Sequence, residues 1–356
     1  MKSPNLSDIS KIYLHMRDDI SRNIYSERLF YNMGGEGRES RIRRIMDIQG
    51  FSEPMTEFIN SHVNQPKAIY GAGYWGQQVK KLFPEVRWEC FIDNNAIQLK
   101  NVLGMECYKL EDFIRNFRNA CFIVATNKFT KEIKEELIRA NIKDDNIFCI
   151  SDYMKHIEHD LQYFDLPALY HDEHETFVDI GALDGESTKQ FIKWSKGNYA
   201  HAYIVEPNPY MQDIISKNMN GITHVSLITK AMSDECKEAM FFCGSAGCEG
   251  TSCIIDELNN NAPPQRTVVP VTTLDLELAE KRITFIKIDV EGWEKKVLAG
   301  TGSIISAQKP KIAVCIYHRI EDMWEIPLIL LKFRSDYDFY VRHYSWDSDE
   351  TVLYAI

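Results

Sequence analysis

Acidic side chains follow two apolar runs in the second half of the chain, and their spacing could place them around one ligand. Residues 177–187 read FVDIGALDGES, an apolar run with Asp179 inside it, then a glycine turn and a second aspartate. Residues 286–294 read IKIDVEGWE and carry Asp289 and Glu291 beside a glycine. Carboxylates can bind a cationic ligand, accept a proton, hold a metal ion or begin a helix, and these segments alone leave the choice open.

The loop at 177–187 has the features of a ligand-binding turn between a strand and a helix. Gly181 permits a tight turn without a Cβ in the path of a ligand, and Gly185 stands where a helix begins and its free N–H groups face a pocket. Asp179 and Asp184 would repel a pyrophosphate but would favour a ligand that carries a positive charge and hydroxyls. A simple tight turn capped by Asp184 is the alternative without a ligand.

The next apolar run ends in another acid. Glu206, in YIVEPNP, comes twenty-five residues after Gly181, where a carboxylate can accept hydrogen bonds from the two hydroxyls of a ribose. Pro207 restricts the loop that follows. After a third run, in KAMSD, Ala231 and Met232 could flank an adenine. Together these positions predict a nucleoside-like ligand.

Six segments in this order resemble the FkbM-type S-adenosylmethionine-dependent methyltransferases: VDIGALDGES, VEPNP, CEGTSC, VPVTTLD, IKIDVEGWEKKVLAG and KPKIAVCIYH. The resemblance covers residues 176–356. It implies a Rossmann-like methyltransferase fold and transfer of a methyl group, usually to a hydroxyl of a carbohydrate or natural product. The acidic loops agree with it, because the methyl donor is a sulfonium cation.

The resemblance also implies a cofactor site. Glu206 would take the ribose hydroxyls and the 231–233 backbone the adenine. The residues that would line the methionine and ribose part of the cofactor are Asp179, Gly181, Asp184 and Gly185.

A hydroxyl acceptor must lose a proton, and two residues are predicted to orient or deprotonate it. Asp289 closes the strand ITFIKIDVEG and His318, in IYHR, ends the next strand, so both would lie at the same edge of a parallel sheet. Glu291 is assigned a shared role and Glu294 a charge at a helix start. A structural role for His318 is equally open. A divalent metal on Asp289 with Glu291 or His318 is possible but not favoured, since so few ligands are weak evidence.

The segment IYGAGYWGQQV (69–79) matches GxGxxG between a strand and a helix, through Gly71, Gly73 and Gly76. Asp93 follows Gly71 by twenty-two residues, where an acid that binds ribose is expected. The segment resembles the small nucleotide-binding domain of sugar-modifying proteins, so the expected ligand is a nucleotide or nucleotide-sugar; a scaffold used only for docking or dimerisation is equally open. Two other functions would follow from this loop, an NAD(P)-dependent oxidoreductase or a non-catalytic nucleotide-sugar-binding protein. The oxidoreductase leaves the motifs of 176–356 unexplained.

Alternating strands and helices predict an α/β protein with two Rossmann-like domains. Residues 1–65 are predicted as a helical segment, 66–152 as a small parallel-sheet domain and 153–173 as a linker. Residues 174–356 are predicted as the methyltransferase domain, with a seven-stranded sheet whose last strand is antiparallel. The acceptor is expected to be chosen by 244–266 and by the stretches around Trp324 and Trp346. Arg342 and His343 could face it, and packing in the core and exposure at the surface are equally open for them.

The composition limits the classes of partner that the protein is expected to bind. A formal net charge of −11 opposes binding to nucleic acid or to an anionic membrane surface. No apolar run is long enough to span a membrane and no secretory signal is present, so a cytoplasmic location is expected. Nine scattered cysteines indicate free thiols. The substrate is expected to be a small molecule or a glycan, and the N-terminal helices are compatible with a homodimer.

Overall fold

The computed structural model describes residues 4–34, 37–243, 253–255 and 266–356. The chain divides into two compact units. One contains the residues up to Tyr25 together with 159–344 and 349–356, and the other contains 26–158 and 345–348. The first unit is therefore built from three separate stretches of sequence.

Helices precede the first strand, as the spacing of apolar residues predicts. They are α1 (Leu6–His15), α2 (Asp19–Asn32), α3 (Arg38–Gln49) and α4 (Glu53–Ser61). The side chain of Asn5 caps α1 by accepting the N–H of Asp8, and Gly50 ends α3 with a φ of 75°. Capping groups of this kind satisfy the N–H and C=O groups that the ends of a helix leave unpaired.

The second unit contains a six-stranded sheet with the order β3-β4-β2-β1-β5-β6. Its central strands are parallel, as predicted, and β3 and β4 form an antiparallel hairpin that the sequence analysis missed. The elements in chain order are β1 (Lys67–Tyr70), α5 (Tyr74–Leu82), β2 (Cys90–Ile92), α6 (Ala96–Leu99), β3 (Asn101–Val102), β4 (Met105–Tyr108), α7 (Leu110–Asn116), β5 (Cys121–Val124), α8 (Thr130–Arg139), β6 (Ile147–Cys149) and α9 (Ile150–His156).

The remaining elements belong to the first unit. They are β7 (Thr176–Ile180), α10 (Glu186–Trp194), β8 (His201–Val205), α11 (Pro209–Asn218), β9 (Val225–Ile228), β10 (Ala231–Met232), β11 (Lys237–Phe242), β12 (Cys253–Ile255), β13 (Arg266–Thr272), α12 (Leu274–Glu277), β14 (Phe285–Ile288), α13 (Glu294–Ala299), α14 (Gly302–Gln308), β15 (Lys311–Cys315), α15 (Asp322–Phe333), β16 (Phe339–His343) and β17 (Thr351–Ala355).

Seven of these strands form one sheet with the order β16-β17-β15-β14-β7-β8-β9. The last strand, β17, lies between β15 and β16 and is antiparallel to both. The predicted fold class, including the antiparallel last strand, is therefore confirmed. Strands β7, β14 and β15 are adjacent and parallel, so their carboxyl ends meet at one edge.

A separate four-stranded sheet, β10-β13-β11-β12, was not predicted. The sequence analysis took KAMSD as the end of the third strand, but β9 ends at Ile228 and Ala231–Met232 begins the second sheet by pairing with β13. Two strands separated by two residues read as one apolar run, because the change of direction is not encoded by a glycine or proline.

The stretch predicted as a linker, 153–173, has its own structure. Helix α9 continues to His156 and is followed by a π-helical turn at Ile157–Leu161. Phe164 is buried, and its ring lies within 6.0 Å of the rings of Phe177 and Phe285 on β7 and β14. This contact fixes the stretch to the sheet of the first unit.

Candidate active site

The loops that follow β7 and β14 touch each other through Gly181. A Cβ at Gly181 would lie 1.8 Å from the carbonyl oxygen of Asp289, and the residue has a φ of 77°. The Asp289 N–H also donates to the Ile180 carbonyl at 3.0 Å. Only glycine fits this contact, so the glycine loop at 177–187 and the IKIDVEGWE segment lie together at one edge of the sheet.

Asp179 supports this edge from inside the fold. Its side chain is fully buried, and Oδ2 accepts hydrogen bonds from Ser187 Oγ at 2.6 Å and Thr188 Oγ1 at 2.7 Å. Lys287 Nζ lies 3.3 Å from its Oδ1 and donates to the Gly181 carbonyl at 2.6 Å. Burial alone would lower the pKa of Lys287, but the charges of Asp179 and Asp289 outweigh it and raise that pKa. Asp179 thus holds the loop through contacts with protein groups.

Glu206 closes β8 beside the same loop. Its Oε2 accepts the N–H of Leu183 at 2.9 Å and its Oε1 accepts the N–H of Asn208 at 2.8 Å. Burial raises the pKa of Glu206 to about 7, although these two N–H groups oppose the shift. Pro207, the next residue, is half-buried and separates Glu206 from the helix cap at Asn208.

The other predicted cofactor residues belong to the same unit as this loop. Gly185 has a φ of 85° and precedes the first residue of α10, and Asp184 Oδ1 accepts the N–H of Glu186 at 3.0 Å. Ala231 and Met232 are buried on β10. All of them lie in the first unit, on or between elements that follow β7, β8 and β9.

The IKIDVEGWE segment forms a strained turn around a buried carboxylate. Strand β14 ends at Ile288, and Glu291 and Gly292 both have left-handed backbones, with φ of 54° and 88°. Glu294 begins α13, as predicted, but it is also fully buried. Its Oε1 accepts the N–H groups of Val290 at 3.0 Å and Gly292 at 3.3 Å, so Glu294 closes the turn.

His318 lies among three of these carboxylates. Its Nδ1 is 2.9 Å from Glu294 Oε1, and its Nε2 is 3.7 Å from Asp289 Oδ1 and 3.5 Å from Glu291 Oε2. Burial alone would lower the pKa of His318, but the contact with Glu294 and the nearby negative charges raise it to about 9. Burial raises the pKa of Glu291 to about 7, against the opposing charge of His318. The structure therefore brings together all three residues that were predicted to act on the acceptor.

Tyr163 also reaches this site and was missed by the sequence analysis. Its hydroxyl donates to Asp289 Oδ2 at 3.0 Å. The residue lies in the stretch taken as a linker, 126 positions before Asp289, and no motif marks it. Only the fold joins these two side chains.

Comparison with known proteins identifies the type of domain that contains these residues. Residues 179–341 match the family model described as the methyltransferase FkbM domain. The chain carries an FkbM methyltransferase domain. The predicted family and enzyme class are confirmed, and the protein is an S-adenosylmethionine-dependent methyltransferase.

Two solved structures illustrate the likeness. Methyltransferase FkbM from Methylobacillus flagellatus KT is 17% identical, with 85% of this chain and 93% of that chain covered and a TM-score of 0.49. Fibrillarin from Aeropyrum pernix, solved with natively bound S-adenosyl-L-methionine, is 11% identical, with 54% of this chain and 71% of that chain covered and a TM-score of 0.36. No curated protein is similar enough to count as a match.

Two sets of side chains in the FkbM domain could hold a metal ion. Ligand atoms of Asp289, Glu294 and His318 all lie within 4.8 Å of one another, and so do those of Asp289, Cys315 and Glu350. Both sets share Asp289. In the first set, however, the ring of His318 already faces carboxylates through both nitrogens.

The residues considered for acceptor binding have other contacts. Arg342 is buried and its Nη2 lies 2.7 Å from Asp18 Oδ2, while His343 is fully buried with its Nδ1 2.8 Å from Thr351 Oγ1. Core packing, the alternative left open for both, is what the structure shows. Trp324 is buried on α15, and Trp346 belongs to the other unit. Most of the predicted acceptor loop, 244–266, lies outside the described residues.

The glycine loop at 69–79, called the first glycine loop, lies outside the FkbM domain and forms a hydrogen bond with Asp93, the acid predicted to bind ribose. Asp93 Oδ2 accepts the N–H of Ala72 at 3.0 Å. A Cβ at Gly76 would lie 1.8 Å from the Gly71 carbonyl oxygen, so helix packing requires that glycine. A Cβ at Gly73 would meet nothing within 4 Å. The loop is thus open at Gly73, and its nucleotide or nucleotide-sugar ligand stays a prediction, as do the homodimer and the cytoplasmic location.

Among the described residues, the helices are all too short or too polar to cross a lipid bilayer.

Proposed function

We propose that the protein is an O-methyltransferase that moves a methyl group from S-adenosylmethionine to a hydroxyl of a carbohydrate, sugar nucleotide or polysaccharide-type acceptor. The FkbM domain supports the reaction class. The acidic groups at the edge of the sheet support a cationic donor and a polyhydroxylated acceptor, because carboxylates attract the first and accept hydrogen bonds from the second.

The residues after β7 and β8 fit the cofactor. Glu206 offers carboxylate oxygens to ribose hydroxyls, and the Gly181–Gly185 loop beside it offers backbone groups. We assign Asp179 to holding this loop from below, because its carboxylate is buried on Ser187 and Lys287. We further assign an adenine contact to Ala231 and Met232, and a place along the loop to Asp184 and Pro207. S-adenosylmethionine supplies an activated methyl group on a positively charged sulfur.

One observation carries the catalytic assignment. Asp289 Oδ2 accepts the Tyr163 hydroxyl, and Oδ1 is buried, 3.7 Å from His318 Nε2. The side chain as a whole is 22% exposed, at the edge where ligands bind in open parallel sheets. We therefore assign to this carboxylate the acceptance of a hydrogen bond from the acceptor hydroxyl and of its proton as the methyl group transfers.

His318 and Glu291 act on Asp289. Both ring nitrogens of His318 face carboxylates, and its pKa of about 9 keeps it positively charged near neutral pH. A protonated imidazole is a poor base but a good partner for an ionised carboxylate. We assign proton removal to Asp289, and we assign to His318 the stabilisation of the negative charge on Asp289. Glu291 interacts with the same imidazolium cation.

The test is transfer of labelled methyl groups to a panel of glycosides, sugar nucleotides and polysaccharide fragments. Asp289→Asn should lower kcat about 100-fold and leave the Kd of S-adenosylhomocysteine unchanged, because a general base typically contributes that much or more. Asp336→Asn, which alters an exposed aspartate paired with Arg334, is the matched control. Transfer by Asp289→Asn at the control rate would refute the assignment, and methylation of amines alone would refute the hydroxyl acceptor.

A further inference from the structure

Tyr163 holds one carboxylate oxygen of Asp289. Its hydroxyl donates to Oδ2 at 3.0 Å and lies 3.5 Å from Cys315 Sγ. The Tyr163 side chain is buried, so water does not compete for this contact. Burial also raises its pKa well above the usual range, which keeps the phenol protonated and able only to donate to the carboxylate.

The backbone holds Tyr163 in this place by unusual geometry. The residue has a φ of 69°, a left-handed conformation that a bulky side chain seldom adopts, and it follows the π-helical turn at Ile157–Leu161. Phe164 fixes the segment by packing on Phe177 and Phe285. Such strain persists only where surrounding contacts impose it.

Tyr163 also contacts the group that joins the two loops. Lys287 Nζ lies 5.4 Å from the centroid of the Tyr163 ring, and the same nitrogen donates to the Gly181 carbonyl. The Tyr163 ring therefore faces Lys287 below the cofactor loop, and the Tyr163 hydroxyl faces the Asp289 carboxylate.

We propose that Tyr163 is a positioning residue for methyl transfer: its hydrogen bond to Oδ2 fixes the orientation of the Asp289 carboxylate that meets the acceptor hydroxyl. The proposal rests on the proposed function, since it assumes that Asp289 meets the acceptor. Tyr163 itself does not touch the reacting atoms in this assignment.

Other charged or titratable groups face Asp289 and keep their side chains when the Tyr163 hydroxyl is removed. They are Lys287, Glu291, Cys315, Tyr317, His318 and Glu350.

The test compares Tyr163→Phe with Tyr337→Phe. Tyr337 is equally buried in the same unit, and its hydroxyl donates to the Pro310 carbonyl at 2.7 Å, away from Asp289. Tyr163→Phe should lower kcat at least 10-fold and leave the KM for S-adenosylmethionine within 2-fold. Tyr337→Phe should lose thermal stability without any of these kinetic changes. Equal kinetics for the two variants would overturn the proposal.

A second measurement needs no acceptor. A carboxyl ¹³C NMR spectrum at one fixed pH, with the Asp289 signal identified through Asp289→Asn, should show that signal displaced in Tyr163→Phe relative to the wild type and Tyr337→Phe, because the carboxylate loses a hydrogen bond. An unchanged Asp289 signal would overturn the role of Tyr163 even if methyl transfer occurs. A displaced signal with no transfer to any hydroxyl would support the contact and refute the proposed function instead.

Discussion

The charge of Glu206 should make folding stability depend on pH. Burial raises its pKa from 4.5 to about 7, so between these values the folded protein binds more protons than the unfolded chain. The stabilising effect of that proton is present below pH 4.5 and is lost as pH rises through 7. Glu206→Gln should remove this dependence and, relative to the wild type, gain at most about 3 kcal/mol on going from pH 5 to pH 8.

Urea unfolding at the two pH values measures this difference. Glutamine can accept only one of the two N–H groups that Glu206 accepts. The free energy lost with the other hydrogen bond is the same at both pH values, so it cancels from the difference. Glu235→Gln, at an exposed position, is the control. Identical pH dependence in Glu206→Gln and the wild type would contradict the effect of burial on Glu206.

Glu294 should contribute more to stability than a charge at a helix start normally does. Glu294→Ala would leave the N–H groups of Val290 and Gly292 and the cation of His318 without their buried carboxylate. Breaking a buried pair in this way typically costs about 3–5 kcal/mol. Thermal unfolding should show that loss, whereas Glu325→Ala, at a partly exposed ion pair with Lys295, should lose about 1 kcal/mol or less. Similar losses in both variants would show that Glu294 is not structural.

At the scale of elements, two glycine variants separate the effect of the contact between the loops after β7 and β14 from the effect of backbone strain alone. Gly181 and Gly197 have similar left-handed backbones, with φ of 77° and 73°, but only at Gly181 would a Cβ collide with another backbone. Gly181→Ala and Gly197→Ala should share a strain cost of about 1–2 kcal/mol. Gly181→Ala should in addition weaken S-adenosylhomocysteine binding at least 10-fold, as isothermal titration would measure. Equal affinities in the two variants would mean that the contact does not shape the cofactor site.

The same scale shows what the sequence could predict. Strands β7, β8 and β14 and their acidic ends were found because each is a short apolar run followed by a glycine or proline. The hairpin of β3 and β4 was missed because its strands have only two and four residues, although Gly104 stands in the turn. The sheet formed by β10–β13 was missed because its strand order, β10-β13-β11-β12, depends on pairing that no local pattern marks. The contact of Tyr163 with Asp289 depends on packing between distant segments, and the burial of Glu294 depends on how the turn closes around it. Neither leaves a local pattern.

For the whole molecule, the two units predict separate responses to ligands. S-adenosylhomocysteine at about 100 times its Kd should add about 2.7 kcal/mol to the unit that contains Glu206 and Asp289. Uridine nucleotides should stabilise the unit that contains Asp93 if the first glycine loop binds them. Calorimetry with each ligand would resolve this, with Glu206→Ala and Asp93→Ala as matched variants. Stabilisation by S-adenosylhomocysteine that survives Glu206→Ala would contradict the cofactor site.

The interior position of β17 sets the order in which the two units can form during synthesis. The seven-stranded sheet has a gap between β15 and β16 until Thr351–Ala355 has left the ribosome, because that strand pairs with both neighbours. The strands of the six-stranded sheet are all made by Cys149. Between the synthesis of β15 and that of β17, therefore, the seven-stranded sheet has an unpaired edge at β15, and a ribosome stalled shortly before residue 351 would carry a nascent chain prone to aggregation.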